Sequence, residues 1–198
     1  MKRLSFLAVL LVLGVPGLAL AAPWEFDAAH SAVQFKVRHL MVSNVRGDFE
    51  KVSATVHYDE KDITKSRAEV TIDASSINTR VKQRDDHLRS ADFLDAAKYP
   101  AITFKSKRVE RAGEGRLKVT GDLALRGVTK EVVLDVEGPT PAIKDMQGNV
   151  RVGGQATTKI NRKDFGLTWN KALEAGGVVV GDEVEITIDL EIYRKPGA

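Results

Sequence analysis

Apolar and polar residues alternate along most of this chain, and the alternation predicts β-strands. The clearest run lies near the C-terminus, where the apolar positions are Val184, Ile186, Ile188, Leu190 and Ile192. Shorter runs with the same period occupy residues 33–37, 52–56, 68–72, 102–104, 117–125, 132–136 and 150–160. A period of two buries one face of a strand and leaves the other in water, as in antiparallel sheets. The pattern therefore predicts an all-β protein with about eight antiparallel strands.

Glycine and proline separate these runs and predict the turns between strands. The predicted turns lie at residues 46–48, 113–115, 126–127, 138–139 and 176–177. Strands of this number either close into a barrel or stack as two sheets, and periodicity alone does not choose between these folds. The inward positions hold mostly Val, Ala, Ile, Leu and Gly, which suit both an open barrel lumen and a compact core.

One segment departs from the alternation. Residues 84–100, "RDDHLRSADFLDAAKYP", combine charged residues with large apolar residues at near-helical spacing. This spacing predicts a short amphipathic helix over 81–90, in which Asp85 pairs with Arg89 one turn later. Such a helix requires only an apolar surface on which to lie.

The N-terminus has the pattern of a secretory signal peptide. Lys2 and Arg3 precede an apolar run at 4–13, which is too short to span a bilayer comfortably, and small residues precede the expected cleavage site. We expect residues 1–21 to be removed and residues 22–198 to form a single exported domain without a stable membrane anchor.

Charge and cysteine content exclude several classes of function. Removal of Lys2 and Arg3 from the 30 basic residues leaves 28 against 27 acidic residues, so nucleic acid is not an expected partner. The chain has no cysteine, which excludes disulfides, thiol catalysis and thiolate metal sites.

The remaining polar residues give no pattern typical of an enzyme. The four histidines form neither an HxH nor an HExxH motif, and no GxSxG motif is present. His30 and Ser31 are neighbours in sequence, so in a strand their side chains point to opposite faces and cannot act as base and nucleophile. We expect no catalytic residue, no metal site and no cofactor.

Two segments place cations beside large apolar residues. The first combines Arg80, Lys82, Arg84 and Arg89 with Phe93 and Leu94, and the second combines Asn161, Arg162 and Lys163 with Phe165, Leu167 and Trp169. Guanidinium groups bind phosphate well, so both segments suit an amphiphile with an anionic head group. They suit an ordinary edge of a folded domain equally well.

The chain resembles the YceI-like family of exported polyisoprenoid-binding proteins. The resemblance rests on four ordered motifs at residues 26–49, 72–106, 121–136 and 160–169, of which the first reads "FDAAHSAVQFKVRHLMVSNVRGDF". It implies an eight-stranded antiparallel lipocalin-like barrel with a short helix over one end and a long isoprenoid chain in an apolar tunnel. Polyprenyl phosphates and ubiquinone-like lipids are the implied ligands, the periplasm is the implied location, and a homodimer is an implied assembly.

Alternation and charge placement, and not the resemblance, predict the individual site residues. The residues expected to contact the lipid tail are Val33, Phe35, Val37, Leu88, Phe93, Phe104, Phe165 and Trp169. Those expected at the head group or tunnel mouth are Arg84, His87, Arg89 and Arg162. The segment 84–100 is thus expected to form a helix and the mouth of the tunnel.

These expectations favour a periplasmic protein that sequesters or carries a polyisoprenoid. An enzyme acting on the same lipids is one alternative, and it would require a converging base, nucleophile or metal. A stress-response protein with an incidental lipid is another.

Overall fold

The structure, a computed structural model, describes residues 23–174 and 176–196, so the predicted signal peptide lies outside the described residues. The described chain contains twelve strands and one α-helix. In chain order these are β1 (Glu25–Phe26), β2 (Ala32–His39), β3 (Ser43–Phe49), β4 (Val52–His57), β5 (Arg67–Asp73), β6 (Ile77–Asn78), α1 (Lys82–Arg89), β7 (Ala101–Arg111), β8 (Arg116–Leu125), β9 (Val128–Glu137), β10 (Ile143–Lys144), β11 (Val150–Asn161) and β12 (Val180–Arg194). Within those residues, no helix is long and apolar enough to cross a bilayer.

The strands form one antiparallel sheet. Its order is β4-β5-β7-β8-β9-β11-β12-β2-β3-β6, while β1 pairs with β12 and β10 pairs with β11. The eight alternating runs in the sequence all lie in strands, which confirms the prediction of an antiparallel all-β fold.

The two ends of this sheet meet, and the meeting closes a barrel. Strands β3 and β4 are separated only by two residues, so they are the halves of one long bent strand. Asp48 in β3 pairs with Gln34 in β2 on one side and with Asn78 in β6 on the other. Further along the same strand, Val52 pairs with Ile72 in β5. With β3 and β4 taken as one strand, eight long strands surround the interior, as expected for a lipocalin-like barrel.

The turn predicted at residues 46–48 is wrong, because these residues lie in β3. Gly47 pairs with Phe35 across the sheet, and a Cβ on Gly47 would lie 2.6 Å from Phe35 Cζ. The glycine therefore makes room for an inward aromatic ring and does not mark a turn. The chain instead reverses between β2 and β3 at Leu40 and Met41, where Val42 N–H donates to the His39 carbonyl at 3.1 Å. The other four predicted turns lie outside strands.

Helix α1 confirms the predicted helix, but the predicted pairing of Asp85 with Arg89 is wrong. Asp85 is buried and accepts a hydrogen bond from Thr79 N–H at 2.8 Å, as well as one from the Thr79 hydroxyl. Arg89 donates to the carbonyls of Ser75 and Ile77, each at 2.7 Å. Both side chains thus tie the helix to the segment around β6.

Candidate functional site

A cavity of about 350 Å³ lies inside the barrel. Its wall consists mainly of the inward side chains predicted by the alternation, because successive side chains of a strand point to opposite faces of a sheet. Strand residues on the wall include Val33, Phe35 and Val37 of β2; Ala68, Val70 and Ile72 of β5; Ile102, Phe104, Ser106 and Val109 of β7; Leu117, Val119, Leu123 and Leu125 of β8; Val132, Leu134 and Val136 of β9; Val152, Ala156, Thr158 and Ile160 of β11; and Val184, Ile186, Ile188, Leu190 and Ile192 of β12.

The polar side chains on this wall are largely engaged by the backbone. Ser106 Oγ accepts from Ala68 N–H at 2.9 Å, and Ser66 Oγ accepts from Asp59 N–H at 3.0 Å. The Thr158 hydroxyl donates to the Val133 carbonyl at 2.8 Å. The cavity therefore presents hydrocarbon to a ligand over most of its surface.

Helix α1 and the segment after it cover one end of the cavity. Leu88, Phe93 and Leu94 line this end, and both Phe93 and Leu94 are buried. Trp169 and His87 pack on the Phe93 ring, with centroid distances of 5.2 Å and 5.0 Å. Burial of these apolar groups makes the segment a cover over this end, where the sequence analysis expected a helix and the mouth of the tunnel.

Six of the eight residues predicted to contact a lipid tail line the cavity. They are Val33, Phe35, Val37, Leu88, Phe93 and Phe104. Phe165 does not line it, because its side chain is only 2% exposed and packs in the core beside the cavity. Trp169 lies in the aromatic cluster over the covered end. Contact between any of these side chains and a ligand stays a prediction.

Three of the residues predicted at a head group hold the helical segment in place. Arg84 donates to the Thr79 hydroxyl at 2.7 Å and to the Thr79 carbonyl at 2.8 Å. Arg89 bonds the backbone as described above, and His87 Nε2 lies 2.9 Å from an Asp92 carboxylate oxygen. None of the three lines the cavity, so their geometry favours a structural role.

Arg162 touches the cavity but is committed to the backbone. Its side chain is 3% exposed, and its five N–H groups all have acceptors: the carbonyls of Gly181, Leu167, Trp169 and Val180, and the carboxylate of Asp182. Burial lowers the pKa of Arg162, and the Asp182 carboxylate opposes that effect. An anionic head group would have to displace these acceptors, so the geometry does not support the predicted ligand role.

The sequence reasoning missed the part of the wall farthest from α1. Tyr58 and Ile63 line the cavity there, in the connection between β4 and β5. Burial and the nearby Glu60 carboxylate raise the pKa of the Tyr58 hydroxyl. No alternation marks this connection, so the strand pattern gave no signal for either residue.

Asp27, His30 and Glu191 bring three groups together that could in principle hold a metal ion. Arg151 already occupies the cluster, because it donates to Asp27 at 2.6 Å and to Glu191. This guanidinium and then His30 hold the pKa of Asp27 down, to about 2. A bound cation would compete with Arg151, so the donor set does not fit a resident metal.

Comparison with known proteins agrees with the fold. The YceI-like domain family matches residues 24–192. A UPF0312 protein of Staphylococcus aureus is 40% identical over 168 residues, covering 85% of this chain and 95% of the relative. The crystal structure of the Campylobacter jejuni YCEI protein has a TM-score of 0.69 at 34% identity, covering 81% of this chain and 91% of that chain.

A more distant structure has the same fold. This polyisoprenoid binding domain from Saccharophagus degradans has a TM-score of 0.61 at 19% identity, over 88% of this chain and 99% of that chain. The family match covers the barrel, the helix and the covered end of the cavity. The chain belongs to the YceI-like family.

Proposed function

We propose that this protein is an exported lipid-binding protein that sequesters or carries one polyisoprenoid, with the apolar tail in the barrel cavity. The observation that carries the proposal is the cavity itself, about 350 Å³ of space surrounded almost wholly by aliphatic and aromatic side chains. Ligand pockets for small molecules span about 300–1,000 Å³, so the space suits a narrow apolar chain.

The energetics favour a tail without polar groups. Burial of a carbon is worth about 0.8 kcal/mol, so a five-carbon isoprene unit contributes roughly 3–4 kcal/mol when fully withdrawn from water. Ordering of the flexible tail offsets part of that gain. A bilayer hosts the same tail equally well, so packing against the wall must supply the preference for the protein.

Membership of the YceI-like family supports lipid binding at the level of the family. The Saccharophagus degradans domain, which is named for polyisoprenoid binding, shares the fold. The proposed periplasmic location and the export rest on the signal-like pattern at residues 1–21. The proposed homodimer rests on the sequence resemblance.

Catalysis on the same lipids is the weaker candidate. An esterase-like site would need a nucleophile beside a base, but the Ser66, Ser106 and Thr158 hydroxyl oxygens on the wall are bonded to backbone groups. His87 interacts with Asp92 and does not line the cavity. Binding is therefore the activity that this arrangement supports best.

A cavity-filling substitution tests the proposal. Ala156→Trp places a large ring in the lumen, and we expect uptake of a polyprenyl phosphate from detergent micelles to fall by at least about tenfold. Val133→Trp, on the outward face of β9, is the matched control and should bind as the unmodified chain does. Ala68→Phe repeats the test from β5 should the first variant fold poorly. Undiminished uptake by folded Ala156→Trp and Ala68→Phe proteins would place the lipid elsewhere.

A further inference from the structure

The turn between β2 and β3 exposes three consecutive large apolar residues. Leu40, Met41 and Val42 are 37%, 45% and 75% exposed. Elsewhere among the described residues, exposed large apolar side chains are isolated or, as with Ile143 and Met146, lie at the opposite end of β12. Isolated exposed apolar residues are ordinary, whereas a contiguous group indicates a surface used for binding.

The backbone of this turn adds a second unusual feature. Leu40 and Met41 have φ values of 48° and 60°, so both central residues are in the left-handed region. His39 pairs with Ser43, so three residues connect the two strands. Positive φ at consecutive turn positions normally falls on Asn or Gly, because bulky side chains are disfavoured there. The positive φ values reverse the chain, but the reversal does not require bulky apolar side chains, which suggests that these side chains serve a contact outside the chain.

Two basic residues, Arg38 and Lys171, flank the turn. Arg38 donates to the Met41 carbonyl at 2.9 Å, and Lys171 is tied to the turn because Val179 bonds both Lys171 and Leu40 through the backbone. Neither Arg38 nor Lys171 forms an ion pair within the part of the chain that the structure describes, and Glu174 is the exposed acid on the adjoining loop.

The positive charge continues along the outer face of β2 and β3. A groove of about 420 Å³ on this face is lined by Lys36, Arg46 and Arg80, with Asp48 and Glu185 as its acidic residues. Glu185 pairs with Lys36 at 2.5 Å. Cations therefore outnumber acids in the groove as well as at the turn.

We propose that the turn at residues 40–42 inserts into the interfacial region of an anionic bilayer while the adjacent basic face contacts lipid head groups. Apolar groups flanked by Lys and Arg are the pattern of shallow, charge-dependent membrane binding. A stable protein partner would require about 800 Å² on each side, far more than three side chains on a turn provide. A role of this membrane-binding surface in lipid transport rests on the proposed function, whereas membrane binding itself does not.

The turn lies at the covered end of the cavity. His39, directly before it, pairs with Val180, and both Val180 and Val37 line the cavity. Membrane docking through the turn would therefore bring this end of the barrel, with its cover of α1 and the aromatic cluster, to the bilayer.

The test is co-sedimentation of the protein with vesicles of phosphatidylcholine containing phosphatidylglycerol. The variant Leu40→Asn/Met41→Gly/Val42→Thr removes the apolar contact while supplying the residues that such a turn prefers. We expect its thermal stability to be kept or raised and its vesicle binding to fall more than about tenfold. The matched control Ile143→Ser/Met146→Ser, at the opposite end of the barrel, should bind vesicles normally.

The charge requirement is tested with Arg38→Gln/Arg46→Gln and with pure phosphatidylcholine vesicles. Weaker binding in both cases supports an anionic bilayer as the partner. Equal vesicle binding by the turn variant and the unmodified chain would overturn the proposal. The proposal would also be overturned if the unmodified chain bound no vesicles and formed a dimer, while the turn variant was a monomer. The turn would then be a protein interface.

Uptake of polyprenyl phosphate from detergent micelles separates this proposal from the lipid-binding function. A turn variant that retains uptake from micelles but loses vesicle binding supports both. An unmodified chain that binds vesicles but takes up no lipid leaves the docking surface intact and contradicts the cargo.

Discussion

Arg162 shows that a basic residue beside an apolar cavity can belong to the scaffold. Its five N–H groups bond four main-chain carbonyls and Asp182, and together they fix the chain entering β12. A ligand-binding arginine would instead leave donors directed at the cavity. The two roles make different predictions for substitution.

We predict that Arg162→Lys destabilises the protein by about 2–4 kcal/mol, because a single ammonium cannot replace five fixed donors and buried carbonyls lose their partners. Urea denaturation measures this change. Arg116→Lys, at an exposed cross-strand pair with Glu137, is the control and should change stability by less than about 1 kcal/mol. Normal stability with lost lipid binding in Arg162→Lys would restore the ligand role.

Gly47 makes a second prediction at the scale of single residues. Gly47→Ala places a Cβ 2.6 Å from the Phe35 ring and 2.8 Å from the Asn78 carbonyl oxygen, so we expect a loss of about 1–3 kcal/mol. In Gly153→Ala the nearest atom is the Leu190 carbonyl oxygen at 3.3 Å, and the loss should be smaller. Equal urea midpoints for the two variants would remove the packing explanation for Gly47.

The sequence predicted the cavity wall better than the polar residues around it. Val33, Phe35 and Phe104 were assigned to the interior because successive side chains of a strand point to opposite faces of the sheet, so the alternation shows which side chains point inward. Arg84, Arg89 and Arg162 were assigned to a head group because their charge is visible in sequence. Their acceptors are mostly main-chain carbonyls, whose positions depend on the fold and leave no trace in the residue pattern.

At the scale of elements, a hydrogen-bond network holds α1 over the end of the barrel. Asp85 is its buried acceptor, while Arg89 bonds the Ser75 carbonyl before β6 and Arg84 bonds the Thr79 carbonyl after it. We predict that Asp85→Ala destabilises the protein by about 1–3 kcal/mol and speeds amide hydrogen exchange in α1 more than in the barrel strands.

The neighbouring acid is a matched control for that experiment. Asp86 is exposed and pairs with Lys82 and Arg89 on the helix surface, so Asp86→Ala should have little effect. If the two variants exchange their α1 amides equally fast, the buried network does not hold the helix.

A second cluster of charged side chains lies at the opposite end of the barrel. It predicts that the stability of the protein depends on pH. Arg151 lies between Asp27 beside β1 and Asp145 after β10, and its hydrogen bonds hold the pKa of each carboxyl down, to about 2. The ordinary pKa of Asp is about 3.9, so the unfolded chain binds more protons in acid than the folded chain does. The stabilisation is therefore complete above about pH 5 and is lost as the pH falls towards 2.

Urea denaturation from pH 7 to pH 2 measures this contribution. Arg151→Gln should lower stability at neutral pH and flatten the loss on acidification, because both carboxyls then lack their partner. Arg116→Gln is the exposed control and should leave the acid profile unchanged. An Arg151→Gln profile parallel to that of the unmodified chain would show that the cluster does not couple folding to pH.

In the long strand formed by β3 and β4, the sequence analysis did not predict β3. Residues 46–48 contain a glycine between charged residues, a pattern typical of a turn, and the strand that holds them was not predicted. The signal lies instead in Phe35 on the neighbouring strand, whose ring needs the space that Gly47 leaves. A pairing across the sheet of this kind is not visible in one segment alone.

At the scale of the whole molecule, closure of the sheet turns the apolar faces inward around one lumen. The alternation predicted eight of the twelve described strands and which of their faces are buried, but it did not choose between a barrel and a sandwich. The choice depends on Asp48, which pairs with strands on both sides, and on the chain running directly from β3 into β4. The cavity follows from that closure, because the inward side chains do not fill the space.

Lipid binding in the barrel is tested by native mass spectrometry of the protein purified from the envelope of its own host, followed by extraction and identification of the bound molecule. We expect a polyisoprenoid at a stoichiometry near one per barrel, and its loss from the Ala156→Trp protein. A protein isolated empty, which also takes up no polyprenyl lipid from micelles, would contradict the proposed function while leaving the barrel as described.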